Sequence, residues 1–350
     1  MKKTVALILL FVLILAGCEM TVSTQQSAAV PEDSEGLTVH FIDVGQADST
    51  LLLCDGQSML IDGGNVEDSD LVVAYLREQG ISTLDYVVNT HAHEDHVGGL
   101  PAVLAVYETK NLWCPVTEYD SGCFEDFRYY ADQQELELVC PDPGDVFMLG
   151  GTQITVLGPV KDEYDTNNSS IVLRADYGQT GFVFTGDAEE QAEKDILEYG
   201  FDVSATVLKV GHHGSETSSC YQWLRAVDPA YAVISVGEDN SYDHPHDVVL
   251  SRLRDADAIV YRTDLQGHIV CESDGQNVTF TTGRHAAVTN PTEVDGSGQN
   301  ASTTFIGNVN SKKFHLPTCG GLPEEKNRIE FESYDEAEEA GYTPCGNCIG

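Results

Sequence analysis

The sequence predicts an α/β fold in which two sheets pack together with helices on the outside. Three observations carry that expectation. Strand-like segments come in two runs, with helical segments between them. Hydrophobic residues make up 41% of the 350 residues, enough to cover the core of one large domain plus something small. Apolar, branched segments stop repeatedly at turn residues, as strands do at their ends.

The elements follow in order. "LTVHFIDV" from Leu37 alternates and is rich in branched residues, so it is a strand. "STLLLCD" and "SMLIDGG" are two more, each closed by a turn signal. "DSDLVVAYLREQG" has helical spacing and stops at Gly80. "TLDYVVNT" is a buried strand, and "VGGLPAVLAVYE" is the expected next helix. "GTQITVLGP", "SSIVLRADYG", "GFVFTGD" and "ATVLKVGHHGS" are strands, with the helix "AEEQAEKDILEYG" between the last two. "PAYAVISVGE", "AIVYRTD" and "GHIVCES" complete the second run.

Around this domain, 37–284, the chain changes character. Residues 1–18 have a positive start at Lys2 and Lys3, an apolar stretch too short for a comfortable span, and "LAGC". That ending resembles a bacterial lipobox, which implies cleavage before Cys18 and a lipid on its sulfur. The protein would then be anchored to the outer side of the cell membrane without spanning it. Residues 19–36 are small and polar and make a tether. Residues 285–302 have almost no large apolar side chains and make a linker, and 303–350 form a separate small unit. Net charge is −39 and the isoelectric point about 4.3. This excludes a basic nucleic-acid footprint and disfavours a polyanion unless metal ions or a local basic patch intervene.

Chemistry concentrates at the end of "TLDYVVNT". Three histidines and two acids fall within the six residues of "HAHEDH", in a chain with 11 histidines. In an extended segment, His91 and His93 point the same way and can reach one ion. Asp95 and His96 then turn the chain toward a second. Neutral imidazoles and carboxylates are the ligand set for zinc and similar divalent ions.

"HAHEDH" resembles the HxHxDH motif of the metallo-β-lactamase superfamily. "LIDGG", "FTGD" and "KVGHHGS" follow in that family's order, so the likeness covers roughly Leu37 to Thr282. "HFIDVGQADS", "NNSSIVL", "LKVGHHGS" and the His-Pro of "YDHPH" resemble its ComEC-type competence branch. The resemblance implies an αββα sandwich with two divalent ions, Zn2+ or Mn2+, at one edge. It assigns His91 and His93 to the first ion, Asp95 and His96 to the second, and Asp187 to both. His212 or His213 completes the second site, with His212 preferred. Asp62 would orient a ligand histidine, although it also suits a turn before two glycines. Asp43 and Asp48 would share the supporting loop. The β-lactamases place a further histidine between the motif and the bridging Asp, and this chain has none between His96 and His212. "TNNSS" occupies that interval, so Asn168 and Ser170 either line the pocket or form a turn, and the first site has fewer protein ligands. Two metals side by side suit in-line displacement at phosphorus. Asp95 and His244 are the catalytic candidates, His244 touching substrate or protonating a leaving group. His246 caps a helix or faces solvent.

In the tail, His315, Cys319, Cys345 and Cys348 make a His-x3-Cys and Cys-x2-Cys set suited to one structural Zn2+, with disulfides as the alternative. The segment resembles the small zinc-binding domain of the Ada DNA-repair protein. Four Lys/Arg against eight Asp/Glu in the tail weigh against nucleic-acid contact. Cys114 and Cys123 flank a short polar segment, and a disulfide between them is one option that the sequence leaves open. The leading expectation is a surface-anchored phosphodiesterase or nuclease acting on extracellular DNA. Two alternatives stand beside it: hydrolysis of cell-wall phosphoesters of the teichoic acid type, and a non-catalytic DNA- or wall-binding lipoprotein.

Overall fold

The computed structural model describes residues 36–284 and 305–349, apart from 318, 320, 332, 333 and 347. The lipidation signal with Cys18, the tether and the 285–302 linker lie outside these residues. One sheet has eight strands in the order Val278–Thr282, Ile269–Ser273, Leu37–Phe41, Thr50–Cys54, Gln57–Ile61, Tyr86–Val88, Leu112–Trp113, Leu138–Val139. The other has seven, in the order Ile259–Arg262, Tyr231–Ile234, Val207–Lys209, Thr180–Phe184, Val172–Tyr177, Thr152–Gly158, Val146–Leu149.

The period of two sets the layers. Leu52 joins Val39, Phe41, Phe182 and Phe184 between the sheets. Its neighbour Leu51 points the other way, to Val72, Leu76 and Phe127 of the outer helices. On the far side, Val183 and Leu208 meet Ile196, Trp223 and Leu253 of three helices. The result is the expected αββα sandwich. The parallel strands Thr180–Phe184, Val207–Lys209 and Tyr231–Ile234 are covered on both faces, which is why their interiors run apolar rather than alternating, with Thr180 and Lys209 at strand ends.

Two expectations need correction. The helix expected over "VGGLPAVLAVYE" is two short helices, Glu94–Val97 and Leu100–Val106, interrupted at Gly98 and Gly99. A Cβ on Gly99 would lie 2.0 Å from the Gly63 carbonyl oxygen, so the loops on either side meet backbone to backbone there. Cys114 and Cys123 are unpaired: Cys114 is buried and its thiol donates to Asn89 Oδ1 at 3.4 Å.

The tail forms a four-stranded sheet, Arg328–Phe331, Phe305–Asn308, Lys313–His315, Thr343–Pro344. Its small core of Phe305, Phe314 and Tyr334 is completed by Tyr221 of the larger domain. The Tyr221 ring stacks on Tyr334 at 5.1 Å, and Arg225 reaches Glu338 at 2.5 Å. The helix that supplies this face, Tyr221–Val227, is fixed at its start by Glu193. Both Glu193 oxygens accept backbone N–H groups, from Ser219 at 2.5 Å and Cys220 at 2.9 Å. Burial lifts this carboxyl from 4.5 to about 7. Removing it in Glu193→Ala leaves those buried donors unmet, at a cost of about 1–3 kcal/mol. A folded pKa above the unfolded one means the folded state binds more protons, so stability from Glu193 is full below 4.5 and declines toward pH 7. Urea unfolding of Glu193→Ala is therefore expected to show a larger deficit at pH 5 than at pH 8.

Candidate metal centre

Five loops converge at the ends of the strands Gln57–Ile61, Tyr86–Val88, Thr180–Phe184, Val207–Lys209 and Tyr231–Ile234. The first two are parallel neighbours in one sheet and the last three are parallel neighbours in the other. In open α/β sheets, ligands bind at the carboxyl ends of such strands.

After Tyr86–Val88 the chain bends through His91–His93, with His93 itself at φ −70° and ψ 151° before the next helical turn. His91 and His93 come together as the spacing predicts, with His91 Nε2 3.0 Å from His93 Nδ1. The helical turn Glu94–Val97 then carries Asp95 and His96 to the other side. Asp187 sits between the two groups, 2% exposed. Its Oδ1 lies 3.2 Å from His96 Nε2 and 3.8 Å from His213 Nε2. Its Oδ2 lies 3.8 Å from His91 Nε2 and 3.6 Å from His212 Nε2. Ligand atoms about 2.0–2.1 Å from a tetrahedral ion stand roughly 3.3 Å apart, so these spacings fit donors around shared ions.

The polar inventory points the same way. His96 Nε2 and Asp187 Oδ1 are fully buried and face each other, yet neither has a hydrogen-bond partner. Two orphaned buried groups in one place are costly unless something between them satisfies both. The donor chemistry, four imidazoles and two carboxylates, suits divalent cations. Burial first, then His96, holds the His91 imidazole far below its usual range and so neutral, as a ligand must be. Burial would raise Asp95 and Asp187, but His96 and His213 more than offset it and keep both carboxyls ionised. Asp187, Asp62 and Asp95 together overcome the burial of His96 and drive its pKa up. Three carboxylates around one imidazole make a buried site that calls for positive charge.

Of the two adjacent histidines, His213 is the one grouped with His96 and Asp187. His213 Nε2 is 3.2 Å from Asp95 Oδ2, and its Nδ1 pairs with the Ser235 carbonyl at 3.0 Å. His212 faces the other Asp187 oxygen from the open side, with Nδ1 3.3 Å from Glu189 and 3.2 Å from Thr217 Oγ1. Both residues have left-handed backbone, φ 49° and 52°. That strained pair turns adjacent imidazoles to opposite oxygens of one carboxylate.

The supporting residues divide. Asp62 holds the His96 ring: its Oδ2 is 2.8 Å from His96 Nδ1 and accepts Thr90 Oγ1 at 2.7 Å, while Oδ1 accepts Thr90 N at 2.7 Å. Ser170 lies at the pocket, its Oγ accepting Asp187 N at 3.0 Å and lying 3.4 Å from His91 Nδ1. Asn168 does not: its Oδ1 accepts from Glu189 N and Ala192 N and caps the helix Glu190–Tyr199. Asp43 is also elsewhere, paired with Arg284 at 2.5 Å. Asp48 reaches the centre, within 4.8 Å of donor atoms of His96, Asp187 and His213, but its carboxylate is held by Lys209 Nζ at 2.8 and 2.9 Å. Thr90, Ser235 and Glu189 contact these residues without being assigned by the motifs, and Lys209, although it opens the "KVGHHGS" motif, has no role assigned there. His244 lies beside His212, ring centroids 5.7 Å apart, with Nδ1 3.3 Å from Gln46 Nε2. Burial, then His213, lowers its pKa to about 4. His246 caps through its backbone, and its Nδ1 accepts Glu216 N at 2.8 Å.

With this geometry in place, comparison with known proteins decides the family. Residues 42–238, more than half of the chain, match the family described as the metallo-beta-lactamase superfamily. The chain belongs to the metallo-β-lactamase superfamily. Within the superfamily it is similar to ComE operon protein 3 of Bacillus subtilis, 33% identical over 267 residues, 71% of this chain and 34% of that protein. It is also similar to competence protein ComA of Neisseria gonorrhoeae, 33% identical over 242 residues, 68% of this chain and 32% of that protein. The chain thus spans about a third of the length of the curated relatives it matches, and these relatives place it with the ComEC-type branch. Among solved structures, the metallo-beta-lactamase fold protein YhfI from Bacillus subtilis is similar at 13% identity and a TM-score of 0.47, over 68% of this chain and 100% of that one.

The tail holds a second cluster. His315, Cys319, Cys345 and Cys348 bring one donor atom each within 4.8 Å of one another, and no disulfide joins any of the three cysteines. Among the described residues, no helix is long and apolar enough to cross a membrane.

Proposed function

We propose that this chain is a metal-dependent phosphodiesterase acting on extracellular DNA, anchored outside the cell by a lipid on Cys18. The observation that carries the reading is Asp187, whose two oxygens face separate histidine groups at 3.2–3.8 Å. His91 and His93 would hold one divalent ion, Asp95, His96 and His213 a second, and Asp187 both. When bound, the pair would supply the positive charge that in-line displacement at phosphorus requires.

The other residues position and bind. Asp62 fixes the His96 ring so that Nε2 faces inward. Ser170 holds the Asp187 loop against His91. His212 and His244 line the open side, where phosphoryl oxygens would lie. A His244 pKa near 4 makes it a poor proton donor at neutral pH, so we give it a hydrogen bond to substrate rather than protonation of the leaving group. The competence names of the relatives favour DNA over a wall polymer. In the tail, the His/Cys cluster would bind one structural zinc, as in Ada-like domains, and so stabilise a core too small to stand without help.

The test is cleavage of single-stranded DNA, double-stranded DNA and a glycerol-phosphate polymer by the full chain, with zinc or manganese added. DNA cleavage supports the reading. Turnover of the glycerol-phosphate polymer alone transfers the activity to wall phosphoesters. Turnover of none, with metal bound, overturns it.

A further inference from the structure

A cleft of about 360 Å³ opens beside His91 and His93. It shares Ala92 with the ligand loop and Ser169 with the loop whose next residue, Ser170, holds Asp187. Its walls include the prolines Pro115, Pro141 and Pro159 and the rings of Tyr119 and Tyr164. Tyr119 stands edge-on to His93, ring centroids 6.4 Å apart, and is braced from behind by Phe124 at 6.0 Å.

From this cleft we infer a nucleoside subsite on one side of the scissile phosphate, an inference that rests on the phosphodiesterase reading. The size is that of a single small ligand rather than a polymer segment. Proline and tyrosine present flat apolar faces. They take a planar ring by its face, which every base has, without reading its edge. A polyol would instead need many free donors inside the cleft, and three of the donors at hand are engaged. Tyr164 Oη donates to Asp195 at 2.7 Å, Lys161 Nζ to the same carboxylate at 2.6 Å, and Ser169 Oγ to the Thr166 carbonyl at 2.7 Å. Asp142 and Asp162 add negative charge at the rim, which repels a second phosphate. The subsite therefore fits a base and its sugar, with no preference among bases, and disfavours glycerol or ribitol.

The test is binding of a methylphosphonate-linked thymidine dinucleotide, which cannot turn over, against the same compound lacking its bases. Equilibrium dialysis with the full, metal-loaded chain gives both constants. Base stacking predicts at least about a five-fold preference for the base-bearing compound. Tyr119→Ala removes most of that preference and Tyr119→Phe keeps it; Tyr164→Ala gives an independent second variant, and metal content checks that each variant folds. Equal binding of the two compounds, or an undiminished preference in both alanine variants, overturns the subsite. A base preference in a protein that cleaves no phosphodiester leaves the subsite standing and removes the reaction. Cleavage without base preference does the reverse.

Discussion

Asp187→Ala is expected to abolish metal binding at the main centre while leaving the ion proposed for the tail His/Cys cluster in place. The two oxygens of Asp187 face both histidine groups, and Asp187 is buried with Oδ1 lacking a hydrogen-bond partner. Without it, His91 and His93 keep only each other on one side, and Asp95, His96 and His213 lose their common neighbour on the other. Loss of an outer-shell partner of a metal ligand costs roughly 10–100-fold in affinity or activity, so loss of a shared ligand is expected to exceed about 100-fold. Metal analysis by mass spectrometry should fall from three ions per chain toward one, together with the loss of turnover. Retention of all three ions by the variant would show that Asp187 does not join the two halves.

Lys209→Met carries the largest expected effect on stability. Lys209 and Asp48 are 3% and 4% exposed, and the ammonium contacts both carboxylate oxygens. Lys209 also donates to the Val210 carbonyl at 3.1 Å. Removing one partner of a buried pair leaves an uncompensated charge, at a cost of about 3–5 kcal/mol. A domain stable by about 5–15 kcal/mol has little margin after that loss. The double variant Asp48→Asn/Lys209→Met removes both charges and is expected to recover most of the deficit in urea unfolding. A single variant as stable as the parent would mean that solvent or another cation reaches Asp48.

The parts legible in the sequence are those that one local rule determines. The apolar run before "HAHEDH" and the helical turn after it follow from run length and local pattern, and the structure has both as Tyr86–Val88 and Glu94–Val97, with the two histidines in bends between them. The choice between His212 and His213 is not of that kind. They are adjacent, identical in chemistry, and separated only by two left-handed backbone conformations that no residue preference signals. Lys209 is hidden for another reason: within "TVLKVG" it reads as an interruption of a strand, and its partner Asp48 is 161 residues away. Asn168 reads in the sequence either as lining the pocket or as part of a turn; it lies in the turn at 166–169, where its side-chain carbonyl caps the helix Glu190–Tyr199. The helix Gly122–Gln133 is legible with hindsight from Ser121, whose Oγ accepts Phe124 N, and from the buried spacing of Phe124, Phe127 and Ala131. The two-residue strands Leu112–Trp113 and Leu138–Val139 carry no periodic signal, because two residues cannot show one.

The central claim is that this centre hydrolyses phosphodiesters through bound metal. It is tested most directly by hydrolysis of bis(p-nitrophenyl) phosphate by the full chain, stripped of metal and then reloaded with zinc or manganese, beside Asp95→Ala/His96→Ala. The account predicts no turnover in the stripped protein, recovery on reloading, and none in the double variant under any metal. Turnover that survives stripping, or that persists in the double variant, would contradict it.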